Sequence, residues 1–158
     1  MSSSDDDRFT IELLQQHDYR FEARFDHAAV PPLVVDEGPP LGGDAGPDPV
    51  RLLAVAVGHC LAASLLFALR KLRNDPGALH ASVSVRMVRN AQRRLRVGGI
   101  DVELRLGVSA AELPMLGRAL AQFEDYCTVT QSVRGGLPVQ VRVFDAGGVS
   151  VEARGDAA

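Results

Sequence analysis

The N-terminal part of the chain alternates apolar and polar residues, which predicts β-strands. Apolar residues within 9–14 give a first strand signal, and a strict alternation follows over 19–25. Tyr19 and the apolar residues at every second position after it would share one face, while Arg20, Glu22 and Arg24 would share the other. One face is therefore expected to be buried and the other polar. The short apolar run Leu33–Val35 is predicted to be the returning arm of a hairpin.

The longest apolar stretch, residues 52–69, reads LLAVAVGHCLAASLLFAL and contains no charged residue. Asp48 followed by Pro49 is a favourable helix start, because the Asp side chain accepts free N–H groups and Pro is tolerated at the first helical position. A glycine- and proline-rich segment leads into it. We therefore predict a helix over 49–73, with Cys60 near its middle.

This stretch is about as long as the shortest membrane-spanning helix. Its apolar run is interrupted by Gly58, His59, Cys60 and Ser64, and no second segment of this kind exists in the sequence. We therefore favour a helix that is buried on nearly all sides over a membrane span. Such a helix in a small protein needs cover from sheets, from a second copy of the chain, or from both.

The remaining pattern predicts further strands, a second helix and a closing strand. Ser109 and Glu112 form a capping-box pattern that opens the second helix, although Pro114 indicates that its regular part starts only there. This helix is expected to continue to Tyr126 and to leave Cys127 just past its end. The predicted strands are 81–88, 95–106 and 137–144. This order indicates an α+β fold with mainly antiparallel sheets in one domain over 1–158, with weakly ordered tails at 1–8 and from Gly147 onward.

Composition narrows the function classes. The chain has 158 residues and a net charge of −3, so it lacks the general basic field that favours nucleic acid or anionic membranes. The arginines within 86–96 are interpreted as a solvated hairpin edge.

Acidic residues stand near the N-terminus where a secretory signal would need basic ones, so a cytoplasmic location is expected. The loop over 38–49 lacks the ending of a phosphate-binding loop.

Two cysteines, Cys60 and Cys127, are the candidates for chemistry. In a reducing compartment they are not expected to form a permanent structural disulfide, and two cysteines are too few for a zinc-finger site. His59 adjoins Cys60, but neighbouring helical residues point about 100° apart, which is poor geometry for a Cys–His dyad. A metal site with His27, Asp36 or Glu37 has no ligand-spacing signature. The residues alone leave open whether the thiols are inert or form a redox pair.

The ordered pattern of these segments resembles the OsmC/Ohr superfamily of thiol-dependent peroxidases. The similarity is carried by GPDPVRLLAVAVGHCLAASLLFALRK over 46–71 and FEDYCTVTQSVRGGLPVQVRV over 123–143, and it extends over about 19–143. The resemblance implies antiparallel sheets around a long central buried helix and an intertwined homodimer. The need of the apolar helix for cover agrees with a dimer.

The resemblance also implies a reaction. Cys60 would attack an organic hydroperoxide and become a sulfenic acid, and Cys127 would resolve it to a disulfide. A lipoyl-type dithiol would reduce that disulfide, and the reaction would need no metal or other cofactor.

The sequence departs from the Ohr-type pattern at the charged pair that stabilises the thiolate. The resemblance implies an Arg near the N-terminal hairpin, which holds the thiolate, and a Glu that positions this Arg. This chain has Val50 at the position of the Glu, and its hairpin segment FDHAAVPP contains no Arg. The nearest candidates for the cation are Arg24 and Arg20, of which Arg24 is assigned to the site. Two alternatives to the peroxidase stay open: a small-ligand-binding protein without turnover, and a structural dimer with inert thiols.

Overall fold

The computed structural model describes residues 8–152, which form two compact units. One unit extends to Leu52 and the other begins at Leu53, and each is described by itself. Parts of the predicted tails, residues 1–7 and 153–158, lie outside the described residues. The combination of strands and helices confirms the predicted α+β class.

The first unit contains a three-stranded antiparallel sheet. Its strands are β1 (Ile11–His17), β2 (Arg20–Phe25) and β3 (Leu33–Val35), in the order β1-β2-β3. Ala23 of β2 is buried opposite Leu33 and Arg24 is exposed, as the alternation predicts. The rest of the predicted buried face is not buried: Phe21 and Phe25 are only partly buried and Tyr19 is exposed. The hairpin of β2 and β3 is confirmed.

The loop that follows β3 is organised by the buried side chain of Asp36. Its carboxylate accepts the backbone N–H groups of Glu37, Gly43 and Ala45 at 2.8, 3.0 and 3.1 Å. These bonds lower the pKa of Asp36, the Ala45 bond having the largest effect, while desolvation opposes the lowering. The charge of Arg20 lowers the pKa further. A segment too rich in Gly and Pro for regular structure is thus fixed by one carboxylate.

Helix α1 (Pro49–Lys71) contains the predicted apolar stretch. Asp48 caps it by accepting the Arg51 N–H at 2.8 Å. The helix ends two residues before the predicted limit because Arg73 adopts a left-handed φ of 59° and the Asn74 N–H turns back to the Leu69 carbonyl at 2.9 Å. Within residues 8–152, α1 is the one helix long and apolar enough to cross a membrane by length and composition.

The second unit contains a four-stranded sheet of β4 (His80–Arg89), β5 (Leu95–Arg105), β6 (Val139–Phe144) and β7 (Ser150–Val151), in that order. Two of its pairings are antiparallel, as predicted, but β5 and β6 are parallel. The start of the predicted C-terminal tail forms β7 and pairs with β6. The core combines helix and sheet residues, among them Leu61, Leu65, Leu69, Ile100, Val102 and Leu104.

The prediction of one continuous second helix up to Tyr126 is wrong. The capping box of Ser109 and Glu112 is present, but it caps only a 3-10 turn, Ala110–Glu112. Pro114, which has no N–H to donate, lies two residues after the end of that turn. The chain then forms α2 (Leu116–Leu120), a second 3-10 turn (Phe123–Tyr126) and, beyond Cys127, α3 (Thr128–Val133).

Gly58 permits the close approach of α1 to β4. A Cβ atom at this position would lie 2.4 Å from Cγ2 of Val83, well inside van der Waals contact. We predict that Gly58→Ala lowers the free energy of unfolding by about 1 kcal/mol or more, because the cost of overpacking exceeds the gain in helix propensity. Denaturant unfolding followed by circular dichroism measures the change.

Gly135→Ala is the matched control, because a Cβ atom there meets no other atom within 4 Å. In the double variant Gly58→Ala/Val83→Ala the clashing methyl group is absent, so the two losses should be less than additive. A Gly58→Ala protein at least as stable as the wild type would show that the helix does not depend on this approach.

Candidate active site around two thiols

Cys60 lies in the middle of α1 and is partly buried. It packs against the core of the second unit, while the neighbouring His59 is exposed to solvent. The turn of the helix thus directs the two adjacent side chains into different environments. Cys60 is therefore a thiol that a small solute can reach, beside an apolar core.

Cys127 lies between the second 3-10 turn and α3, and its side chain is fully buried in the same core. Its N–H donates to the Glu124 carbonyl at 3.0 Å, and its carbonyl accepts the Gln131 N–H at 3.0 Å. Hydrogen bonds to the preceding turn and to the following helix therefore hold the backbone of Cys127 in place. Neither this cysteine nor Cys60 forms a disulfide, so both are free thiols.

The surroundings of Cys127 favour its protonated form. Burial raises the pKa of the Cys127 thiol, and interaction with the Cys60 thiol raises it further. Thr130 acts in the opposite sense, and its Oγ1 accepts a hydrogen bond from the Cys127 thiol at 2.9 Å. The two cysteines thus interact within one core, where one is accessible and the other is protected.

An ion pair braces the segment that carries Cys127. Arg134 Nη2 lies 2.6 Å from Oε2 of Glu124, and the Gln131 amide donates to the Glu124 carbonyl at 3.1 Å. These contacts connect α3 to the preceding 3-10 turn, so Cys127 is held between two elements that are joined to each other.

An aromatic pair includes Tyr126, the residue immediately before Cys127. The ring of Tyr126 meets the ring of Phe67 edge to face, with centroids 5.3 Å apart. The Lys71 ammonium lies 5.5 Å from the centroid of Tyr126 and 6.0 Å from that of Phe67. This cluster joins α1 to the 3-10 turn immediately before Cys127.

The arginines assigned from the sequence belong to the first unit. Arg24 Nε lies 2.7 Å from Oε1 of Glu22 on the same strand. Arg20 instead contributes its charge to Asp36, at the centre of the loop. Arg24 therefore has a carboxylate partner of its own on the same strand.

Other features of the described residues lie apart from the thiols. A groove of about 1020 Å³ is lined by α2, β7 and neighbouring turns, and neither cysteine lines it. Within residues 8–152 no group of three or more His, Cys, Asp or Glu residues is placed to hold a metal ion.

The fold is shared with solved structures of low sequence identity. An OsmC-like protein of unknown function from Vibrio cholerae has a TM-score of 0.72 at 15% identity, and the match covers 87% of this chain and 99% of that chain. An OsmC-like protein from Mycoplasma pneumoniae has a TM-score of 0.71 at 16% identity, covering 89% and 98%. The organic hydroperoxide resistance protein OhrB of Bacillus subtilis has a TM-score of 0.62 at 14% identity, covering 85% and 98%.

These likenesses define an OsmC-type fold. The family model described as OsmC-like protein matches residues 42–142, which include α1 and both cysteines. The chain therefore belongs to the OsmC-like protein family, as the sequence resemblance indicates. No curated protein matches the chain.

Thr130 joins the candidate site in the structure, although the sequence pattern does not predict it. It is fully buried and touches the Cys127 thiol. The one signal in the sequence is its spacing of three residues from Cys127, which brings two side chains together only if the segment is helical. The β-branched residues of TVTQSV gave no indication of a helix.

The difference in burial predicts a difference in thiol reactivity. In the folded protein at neutral pH, iodoacetamide should modify Cys60 and leave Cys127 unmodified, since Cys127 is fully buried and its pKa is raised. Peptide mass spectrometry over time measures both sites. In guanidinium chloride the two should react at similar rates, and modification of Cys127 before Cys60 in the folded protein would contradict the assignment.

Proposed function

We propose that this protein is a thiol-dependent peroxidase that reduces organic hydroperoxides, with Cys60 as the peroxidatic and Cys127 as the resolving cysteine. The observation that carries the proposal is that an accessible thiol, Cys60, packs against the same core that encloses a protected thiol, Cys127. The similarity to hydroperoxide resistance proteins supports the choice of substrate class. The proposal assigns no metal or other cofactor to the reaction.

The first step uses Cys60, the more accessible thiol of the pair. The Cys60 thiolate attacks the outer oxygen of the hydroperoxide, the O–O bond breaks, and the alcohol leaves with a proton while Cys60 becomes a sulfenic acid. The raised pKa and burial of Cys127 disfavour it as the attacking group. The apolar residues around Cys60 suit an organic hydroperoxide better than a strongly hydrated substrate.

The second step closes the pair. The Cys127 sulfur bonds to the Cys60 sulfur, the Cys60 S–O bond breaks, and the oxygen leaves as water with the Cys127 proton. A dithiol of the lipoyl type then reduces the disulfide by thiol exchange, which restores both thiols and oxidises the dithiol.

We assign the cation of the site to Arg24. Its guanidinium would favour the Cys60 thiolate and the leaving oxygen, as cations do at activated thiols. Support comes from its bond to Glu22, which gives the guanidinium a fixed carboxylate partner, and from its partial exposure. Arg20 is the weaker candidate because its charge is directed to Asp36.

A homodimer is part of the proposal. Large apolar side chains are exposed in each unit, including Phe9 and Leu13 in the first and Val55 and Phe67 in the second. In the proposed dimer, a second copy of the chain covers exposed apolar side chains of the helix. The proposed setting is the cytoplasm, where dithiol reductants are maintained.

A second candidate function is a small-ligand-binding protein without turnover. It is favoured by one observation, the apolar Val50 at the position where the resemblance to the Ohr-type pattern implies a glutamate. Such a protein would keep both thiols when exposed to peroxide, so the same assay separates the two candidates.

The first test of the proposal is turnover. Purified protein with dihydrolipoamide should consume cumene hydroperoxide, and Cys60→Ser should abolish consumption because no other group supplies the attacking sulfur. Cys127→Ser should allow oxidation of Cys60 without an intramolecular disulfide. Consumption is followed by the loss of hydroperoxide. Wild-type activity in Cys60→Ser, or no activity in the wild type, would refute the peroxidase.

The assignment of Arg24 has its own test. Arg24→Gln should lower kcat/KM for cumene hydroperoxide by about 10- to 100-fold, the effect of losing one hydrogen bond to a developing charge. The control is Arg142→Gln, which breaks another exposed Arg–Glu pair, 2.6 Å from Glu103. Equal kcat/KM values in the two variants would remove Arg24 from the site.

A further inference from the structure

A buried hydroxyl is the direct side-chain partner of the Cys127 thiol. Thr130 is fully buried on α3, and its Oγ1 lies 2.9 Å from the Cys127 sulfur. Among residues 8–152, its hydroxyl has no other hydrogen-bond partner. The contact is therefore dedicated to this one sulfur atom.

A hydroxyl is both a donor and an acceptor of hydrogen bonds. It accepts a hydrogen bond from the neutral thiol, and after rotation it donates one to the thiolate. Resolution requires this change, because the thiolate and not the thiol attacks the sulfur of Cys60. Without the hydroxyl, the negative charge would develop in a site where burial opposes it.

We propose that Thr130 is a positioning residue for the resolving step, in which its hydroxyl holds the Cys127 sulfur and then stabilises its negative charge as the disulfide with Cys60 forms. This inference rests on the proposed resolving role of Cys127. The atoms balance as in that step: one S–S bond forms, one S–O bond breaks, and the oxygen leaves as water. Thr130 is unchanged at the end.

The electrostatic surroundings agree with this role. Burial and the Cys60 thiol raise the pKa of Cys127, whereas the Thr130 hydroxyl and backbone N–H both lower it. Cys60 is a titratable group that contributes to this shift, and nearby Glu124 is paired with Arg134 at 2.6 Å. The variant Thr130→Val keeps the backbone N–H and the side-chain shape, so it isolates the hydroxyl.

An aromatic disulfide, dithiobis(nitrobenzoate), separates the two chemical steps without a peroxide. Cys60 attacks the reagent and releases one coloured thiolate, and Cys127 then attacks the mixed disulfide on Cys60 and releases the second. The second phase does not depend on reagent concentration, because it is intramolecular. Stopped-flow absorbance gives both rates, and Cys127→Ser should show the first phase alone.

The expected result is a fall of about tenfold in the ratio of the second rate to the first in Thr130→Val, with the pH midpoint of the second phase moved upward. Thr130→Ser restores the hydroxyl and should restore both values, whereas a merely structural role would not respond in this way. The matched control is Thr128→Val, the same change at an exposed position of the same helix, and it should retain the wild-type ratio and midpoint.

The inference is overturned if Thr130→Val keeps the wild-type ratio and pH midpoint, or if the wild type lacks the second phase. Failure of the proposed function has a different signature. There, cumene hydroperoxide leaves both thiols intact, while the aromatic disulfide still gives two phases whose ratio depends on the Thr130 hydroxyl.

Discussion

The close packing of an apolar helix against a sheet is the constraint on which this structure depends. At Gly58 the helix comes so near to Val83 that no side chain fits between them. Cys60 follows two residues later, so the depth at which its thiol lies is set by this approach. The same core contains Cys127, and the interaction of the two thiols is thus a consequence of helix–sheet packing.

Unequal burial gives two chemically identical side chains different properties. Cys60 borders solvent, whereas Cys127 is enclosed and its pKa is raised by desolvation. A thiol that reacts with a substrate must be accessible to it, whereas a resolving thiol benefits from burial that keeps other reagents away until its partner is oxidised. The order of the proposed reaction follows from this difference. The hydroxyl of Thr130 provides the polar contact that such protection would otherwise remove.

Features that depend on local patterns were predictable from the sequence. The sequence predicted the β2 strand, the start of α1 at Asp48 and the long uncharged stretch within that helix. The structure contains all three. The interruption after Ser109 was only partly visible, because Pro114 gave a warning while the capping box indicated a helix. The residues of α3 have weak helix propensity, so its existence depends on tertiary contacts.

Features that depend on distant contacts were not predictable. The parallel pairing of β5 with β6 joins segments separated by two short helices and two 3-10 turns. The contact of Thr130 with Cys127 requires the unexpected helix α3. Cys60 and Cys127 were found as candidates, but the family resemblance and not their spacing suggested that they act together.

The most direct test of the central claim is the stoichiometry of the wild-type protein with one equivalent of cumene hydroperoxide and no reductant. Intact-mass spectrometry, thiol titration and measurement of cumyl alcohol are made on the same sample. The account predicts one alcohol per chain, loss of both free thiols, and a mass lower by two hydrogen atoms. An unchanged mass with both thiols still titrating would contradict it.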